Sequence, residues 1–198
     1  MAQIIESRFR VLEFDEEDAL LNDIVDTGLP VHVNKEREEY GESLQTKIDA
    51  LEPGNIIEAE IQSESITRQD DTWKFIDLKV TDETRFHFIE DADNHSSHVP
   101  ELAATAENIG ENTARTAISS DGEPIGFITV GQDQGDRFWY GLQMGTNTHE
   151  FDIQNLEAID EPPYEVIYTR NSDKSLLIFY HLAEKDTKVA RAVLSANR

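Results

Sequence analysis

The stretch "NIIEAEIQSES", residues 55–65, does most to decide the fold, because its apolar and polar side chains alternate along the chain. Ile57, Ala59 and Ile61 fall on one side of an extended chain, whereas Glu58 and Glu60 fall on the other. This period of two is typical of a strand in an antiparallel sheet with one face buried. The segment therefore predicts a half-buried antiparallel strand.

Two further strands are predicted directly after it. In "WKFIDLKV", residues 73–80, the alternation predicts that Ile76, Leu78 and Val80 point inward. The polar run "TDET", residues 81–84, then turns the chain into "RFHFI", residues 85–89. Three consecutive strands joined by short turns predict a meander.

The residues upstream extend this β-rich unit and add one helix. "SRFRVLEF", residues 7–14, predicts a strand, and "ALLNDIV", residues 19–25, favours a strand over a helical turn. Tyr40, Leu44, Ile48 and Leu51 recur at helical spacing until "EPG" at residues 52–54 ends the helix. Residues 1–90 are therefore predicted to form a small barrel-like β unit with one helix.

Residues 91–198 predict antiparallel hairpins packed with helices. Leu102, Ala106 and Ile109 form a helical stripe that ends before Gly110. The turn sequences "SSDGEP" (119–124) and "RNSDKS" (170–175) each separate two apolar runs, as in β-hairpins. A terminal helix is indicated by the stripe Val189, Ala190, Val193 and Leu194. The whole chain is therefore predicted to be α+β, with both units packed as one body.

The charge balance predicts a protein adapted to molar salt. Asp and Glu number 41 against 17 Lys and Arg, which gives a formal net charge of -24. At about 0.1 M salt the Debye length is roughly 10 Å, so such a surface repels itself, whereas at about 1 M the length is roughly 3 Å. The alternative is an acidic protein of an ordinary cytoplasm that mimics nucleic acid or binds basic partners.

Several classes of protein are disfavoured by the residues that the chain lacks. The absence of cysteine excludes disulfides and cysteine-type zinc sites. No basic region followed by an apolar run opens the chain, and no stretch approaches 18 apolar residues. We therefore expect a cytoplasmic protein with no membrane partner.

Four segments of the chain together resemble a family of uncharacterised proteins from halophilic archaea. They are "SRFRVLEF", "LEPGNIIEAEI", "SSDGEPIGFITV" and "EPPYEVIYTRNSDKSLLIFYHL". The resemblance spans most of the chain, and its motifs are strands and hairpin turns. It implies a halophilic cytoplasm and brings no activity, substrate or site residue with it.

A metal site is one hypothesis for the segment "EDADNHSSHVPEL", residues 90–102. Asp91, Asp93, His95 and His98 offer two carboxylates and two imidazoles, a set that suits Zn, Mn or Fe. The helical His-Glu-x-x-His arrangement is absent, and acidic residues lie beside histidines by chance in so acidic a chain. The favoured interpretation is a solvated loop in which Ser96 or Ser97 caps the next helix.

A single-stranded nucleic-acid site is a second hypothesis, because cations alternate with aromatic residues in the β-rich unit. The candidate residues are Arg8, Arg10, Trp73, Lys74 and Arg85. The alternative is that the aromatic side chains belong to the core and that the cations pair with neighbouring carboxylates.

No sequence motif of a phosphate-binding loop, a dinucleotide site or a serine hydrolase occurs. We therefore name no catalytic residue and expect no cofactor. The leading hypothesis is a non-enzymatic binding or accessory protein whose partner is a protein or a single-stranded nucleic acid. The alternative is a metal-dependent enzyme that uses His95 and His98.

Overall fold

A computed structural model describes residues 3–14, 17–26, 30–35, 40–63, 73–93, 95–147, 149 and 153–197. The chain divides into two compact units. Unit 1 comprises Met1–Glu83 with Gly141–Asn147, and unit 2 comprises Thr84–Tyr140 with Thr148–Arg198. Each unit has its own sheet, and helices accompany the strands, so the α+β class is confirmed.

Unit 1 contains five strands that close into a ring in the order β1-β2-β3-β5-β4. The elements are β1 (Ile4–Phe14), β2 (Asp18–Asp23), β3 (Val31–Asn34), α1 (Glu42–Asp49), β4 (Ile56–Ser63) and β5 (Trp73–Asp82). Strand β4 pairs with β1 to close the ring, and β3 and β5 are parallel whereas the other pairs are antiparallel. The prediction of a β-rich, barrel-like arrangement with one helix is therefore confirmed, in that the strands of unit 1 close into a ring.

The alternation on β4 sets the inside of this ring, as predicted. Ile57, Ala59 and Ile61 are buried in one apolar cluster with residues from the other strands and from α1. On β5, however, the predicted inward position of Ile76 is wrong, since its side chain is 41% exposed. Asp77 pairs with Glu60 and Phe75 with Ile61, so Ile76 is an extra residue in a β-bulge, and Phe75 points inward instead.

Unit 2 is built on an open five-stranded sheet in the order β6-β9-β10-β8-β7. Its elements are β6 (Arg85–Ile89), α2 (His98–Ile109), β7 (Thr113–Ser120), β8 (Glu123–Gln132), α3 (Asp136–Gln143), β9 (Glu165–Arg170), β10 (Leu176–Leu182) and α4 (Lys188–Ala196). Helix α3 begins in unit 2, and its last residues belong to unit 1.

Strand β6 is not the third strand of a meander, which corrects the prediction for "RFHFI". It pairs in parallel with β9, from Arg85 opposite Glu165 to Ile89 opposite Thr169. The strand itself was predicted, but its partner lies about 80 residues away in the chain, and local alternation carries no information about such a partner.

Both predicted hairpins are present in unit 2. β7 and β8 are joined by Asp121 and Gly122, which have φ of 53° and 90°. Positive φ at both central residues is the requirement of the type I′ turn that matches strand twist. The second hairpin joins β9 to β10, and the Asn171 side chain accepts hydrogen bonds from the amides of Ser175 (3.0 Å) and Leu176 (2.8 Å).

Helices α2 and α4 cover one face of this sheet. Val99 and Leu102 of α2 and Ala190 and Val193 of α4 pack in one apolar cluster with the side chains of β8, β9 and β10. Both helices were predicted from sequence spacing, but the place given to Ile109 in the α2 stripe is wrong, because this residue is 60% exposed at the end of the helix. Within the described residues, no helix has the length and apolar character needed to cross a membrane.

Candidate binding pocket

The loop between β6 and α2 is attached to the sheet on both sides of His95. The amide of Ala92 donates to the carbonyl of Arg170 at the end of β9 (2.9 Å), and the amide of Ser96 donates to the hydroxyl of Tyr180 on β10 (3.3 Å). Asp91 has a φ of 54°, a conformation that Asp tolerates better than most residues. These contacts hold His95 close to Tyr180.

Helix α4 forms the second wall of the same region. The Thr187 hydroxyl caps the helix by accepting a hydrogen bond from the amide of Ala190 (3.1 Å). Because Ala190 and Val193 face the sheet, Ala192 and Ala196 remain exposed. No Asp or Glu occurs from Thr187 to Arg198, although the chain contains 41 of them. Helix α4 is therefore locally cationic on a strongly acidic protein.

A pocket of about 410 Å³ lies between the loop and the helix. Sites for small molecules typically measure about 300 to 1,000 Å³ and combine apolar walls with a few polar groups. Here the walls include the apolar side chains of Val189, Ala192 and Val193, and the polar groups belong to His95, Ser96, Tyr180 and Lys188. Among the described residues that line the pocket, none is acidic.

His95 is the polar residue of this pocket whose buried side-chain atoms lack hydrogen bonds among the described residues. Both ring nitrogens are buried, and neither forms a hydrogen bond within the described part of the chain. Burial lowers the pKa of the imidazole, whereas the Ala92 backbone and the charge of Asp93 act to raise it. The contact between the ring and the Ala92 backbone does not meet the geometry of a hydrogen bond. A neutral imidazole offers one donor and one acceptor, but both nitrogens are buried, so His95 lines the pocket through other atoms.

Tyr180 forms a fully buried part of the pocket lining. Burial raises the pKa of its phenol, and the hydrogen bond from the Ser96 amide acts in the opposite direction. The phenol is therefore neutral near pH 7. Its oxygen accepts a hydrogen bond from the Ser96 amide, which holds the 95–96 loop against β10.

The four residues predicted to bind a metal are not brought together. Asp91, Asp93 and His98 are exposed, while His95 is half-buried in the pocket. No group of three or more His, Asp or Glu side chains suited to a metal ion occurs among the described residues. Ser96 does contribute to the start of α2, since its hydroxyl accepts from the amide of His98 (3.4 Å).

The residues predicted to bind nucleic acid lie in different environments. Trp73 is 5% exposed within the core of the ring, and Arg10 is 1% exposed and donates from Nη1 to the carbonyl of Gly54 (2.7 Å). Arg8 is exposed, and Lys74 is half-buried on β5. Arg85 belongs to unit 2. Trp73 and Arg10 thus do not present their side chains to solvent.

Arg85 takes part in a charged cluster around a buried carboxylate. Glu165 is fully buried, and its carboxylate accepts hydrogen bonds from the Asp186 amide (2.7 Å) and the His87 ring (2.9 Å). The guanidinium Nη1 of Arg85 lies 3.8 Å from Oε1 of the same carboxylate. Burial alone would raise the pKa of Glu165, but these contacts outweigh it and lower the pKa. The cluster satisfies a buried charge, which is a structural role.

A second group of buried polar side chains is also accounted for by packing. The His149 ring hydrogen-bonds the Tyr168 hydroxyl (2.7 Å), and Phe88 stacks on Tyr168 with ring centres 5.0 Å apart. His181 stacks on Phe127 at 4.6 Å. We assign this aromatic cluster to the interior of unit 2.

Sequence reasoning found His95 but missed Tyr180 and Lys188 as members of its site. These residues are far apart in the chain, and only the fold of unit 2 places them around one pocket. One signal was present in the sequence. The acid-free run from Thr187 to Arg198 departs from the composition of the rest of the chain.

Comparison with known proteins matches the chain to a family model. The model of a family of unknown function, DUF6663, matches residues 1–196. No curated protein and no solved structure matches the chain. Since the match covers nearly every residue, the chain belongs to the DUF6663 family of unknown function.

Proposed function

We propose that the protein is a non-enzymatic binding protein and that it binds its ligand in the pocket between the 95–96 loop and α4. The observation that carries this proposal is a pocket of about 410 Å³ with mainly apolar walls and no acidic residue among its described lining residues, in a chain with 41 acidic residues. Such a pocket has the size and the apolar character of a small-molecule site.

Binding fits this pocket better than catalysis does. A histidine that acts as a base is normally oriented by a carboxylate or carbonyl that bonds its second nitrogen. Both His95 ring nitrogens are buried out of reach of a ligand, and none of the described lining residues is acidic. The described part of the pocket therefore presents no histidine or carboxylate that could take a proton from a ligand.

We also propose a salt-adapted cytoplasm as the place where this binding occurs. The formal net charge of -24 supports it, together with the resemblance to proteins of halophilic archaea. In molar salt, long-range attraction between charges is screened, whereas burial of apolar groups keeps its strength. A partly enclosed pocket with apolar walls suits recognition under those conditions.

A fragment screen tests the proposed site without assuming a ligand. Small fragments are screened by saturation-transfer NMR in molar KCl against the wild type and Ala192→Trp, which fills the pocket from an exposed position. Ser195→Trp is the matched control, because Ser195 is exposed on the same helix and does not line the pocket. Fragments should bind the wild type and the control and lose binding in Ala192→Trp. If no fragment separates the two variants, the pocket is not a binding site.

A second candidate is single-stranded nucleic acid bound by unit 1, and the strand order favours it. The order β1-β2-β3-β5-β4, with β3 and β5 parallel and a helix between β3 and β4, matches the topology of OB folds. Such folds bind oligonucleotides on the outer face of strands 2 and 3. Fold topology by itself does not establish function.

Parts of the outer face of β2 and β3, which corresponds to that binding face, are buried. His32 on β3 is exposed, but its neighbour Leu20 on β2 is 3% exposed. Leu12 packs so closely against Gly145 that a Cβ there would lie 2.1 Å from Leu12 Cδ1. We therefore rank nucleic-acid binding by unit 1 below ligand binding in the pocket.

Fluorescence anisotropy with a labelled oligothymidylate in molar KCl tests this second candidate. Binding should raise the anisotropy and should weaken in Arg8→Ala, whereas Arg191→Ala on α4 serves as a charge-matched control. A flat titration removes the nucleic-acid candidate. Trp73 fluorescence is a poor reporter, because this side chain is 5% exposed.

A further inference from the structure

We infer that the α4 pocket recognises an apolar group that ends in a carboxylate. The inference rests on the proposed function, because it names the chemistry of a ligand for that same pocket. The charge and the apolar walls of the pocket support it.

Lys188 gives the pocket a positive charge that the stability of the fold does not explain. Among the described residues that line the pocket, it is the only Lys or Arg, and none is Asp or Glu. It is also the first residue of α4, where the helix dipole disfavours a cation. In a chain with 41 acidic and 17 basic residues, a lysine in a pocket whose described lining contains no acidic residue favours an anionic ligand.

Lys188 is the exposed cationic donor of the pocket, because Tyr180 is fully buried and both His95 ring nitrogens are buried. A carboxylate accepts up to four hydrogen bonds and therefore suits an ammonium group. A free aliphatic acid and a peptide that ends in an apolar residue both carry a carboxylate beside an apolar group.

The walls determine what is attached to the carboxylate. Val189, Ala192, Val193 and Ala196 recur at the spacing of one helical face, and their side chains are apolar. A short aliphatic chain or a leucine-sized side chain therefore fits along α4 better than a sugar or a nucleotide, whose hydroxyls would lose their hydrogen bonds to water.

Calorimetry in molar KCl tests the class of ligand and its source. Octanoate is compared with octanamide, and the peptide Ala-Ala-Leu with its C-terminal amide. A carboxylate should bind about tenfold more tightly than its amide, a difference of about 1.4 kcal/mol, because only the carboxylate carries a charge opposite to that of Lys188. Lys188→Ala should abolish this preference, and Arg191→Ala, which removes a cation of the same helix outside the pocket, should preserve it.

The outcomes separate this inference from the proposed function. Equal affinity for acid and amide, with both lost in Ala192→Trp, overturns the carboxylate and leaves the pocket as a binding site. If neither octanoate nor the peptide acid binds, the inference is also overturned, and the fragment screen alone then decides on the pocket. Preference for the peptide acid over octanoate identifies a protein C-terminus as the source, and the reverse identifies a free acid.

Discussion

The buried imidazole of His181 should make the folded protein sensitive to mild acid. The side chain is 0% exposed and stacks on Phe127 at 4.6 Å. Burial, followed by electrostatic interaction with Arg115 and His149, lowers its pKa from 6.5 to about 3. The folded state therefore keeps this ring neutral at pH values where the unfolded chain takes up a proton.

The sign and size of the effect follow from this difference. Because the pKa of His181 is lower in the folded state, its contribution to stability is complete above pH 6.5 and is lost as the pH falls from 6.5 towards 3. Each pH unit in this window corresponds to about 1.4 kcal/mol. Between pH 8 and pH 5 the free energy of unfolding should therefore fall by about 2 kcal/mol through His181 alone.

The variant His181→Phe isolates this contribution, because it retains a ring against Phe127 and removes the titrating group. Urea unfolding in molar KCl at pH 8 and pH 5 gives the free energy of unfolding of both proteins. The wild type should lose about 2 kcal/mol more than the variant between the two pH values. His98→Phe is the control at an exposed histidine. Identical pH dependence in the wild type and His181→Phe would refute the reasoning.

Three further predictions concern stability, each measured by urea or thermal unfolding. Dialysis into dilute buffer should loosen or unfold the protein, because 41 acidic residues lose their screening; unchanged stability would contradict this. Arg170→Met removes the ion-pair partner of the buried Asp133 carboxylate and should lower the free energy of unfolding by about 3 to 5 kcal/mol. Lys47→Met removes an exposed ion pair with Asp77 and should lower it by less than about 1 kcal/mol. Gly126→Ala should cost about 3 kcal/mol or more, since its φ is 147° and a Cβ would lie 2.0 Å from the His181 carbonyl oxygen; Gly41→Ala, with open space around it, should be nearly neutral.

Local patterns predicted most of the elements. The alternation of Ile57, Ala59 and Ile61 gave the buried face of β4. The stripe of Leu102 and Ala106 gave α2, and the Asp-Gly pair gave the first hairpin. In each case the signal and the structure that it specifies lie within a few residues of each other, so no knowledge of the rest of the fold was required.

Features that depend on distant partners were missed. The bulge at Ile76 arises from its pairing with β4, and the partner of β6 is β9, which no local pattern identifies. The same limit applies to Arg10 and Trp73, because an alternation of cations and aromatic residues does not reveal which side chains are buried. The pocket is a further example, since His95, Tyr180 and Lys188 come from a loop, a strand and a helix.

The most direct test of the pocket observes the His95 ring itself. Long-range ¹H–¹⁵N NMR of the histidine side chains is recorded in molar KCl while octanoate or Ala-Ala-Leu is added. The account predicts that the ring nitrogens of His95 shift with saturable dependence on ligand, while those of exposed His98 do not. A His95 signal that stays unchanged with both ligands at saturating concentration, or a uniform shift of all histidines, would contradict it.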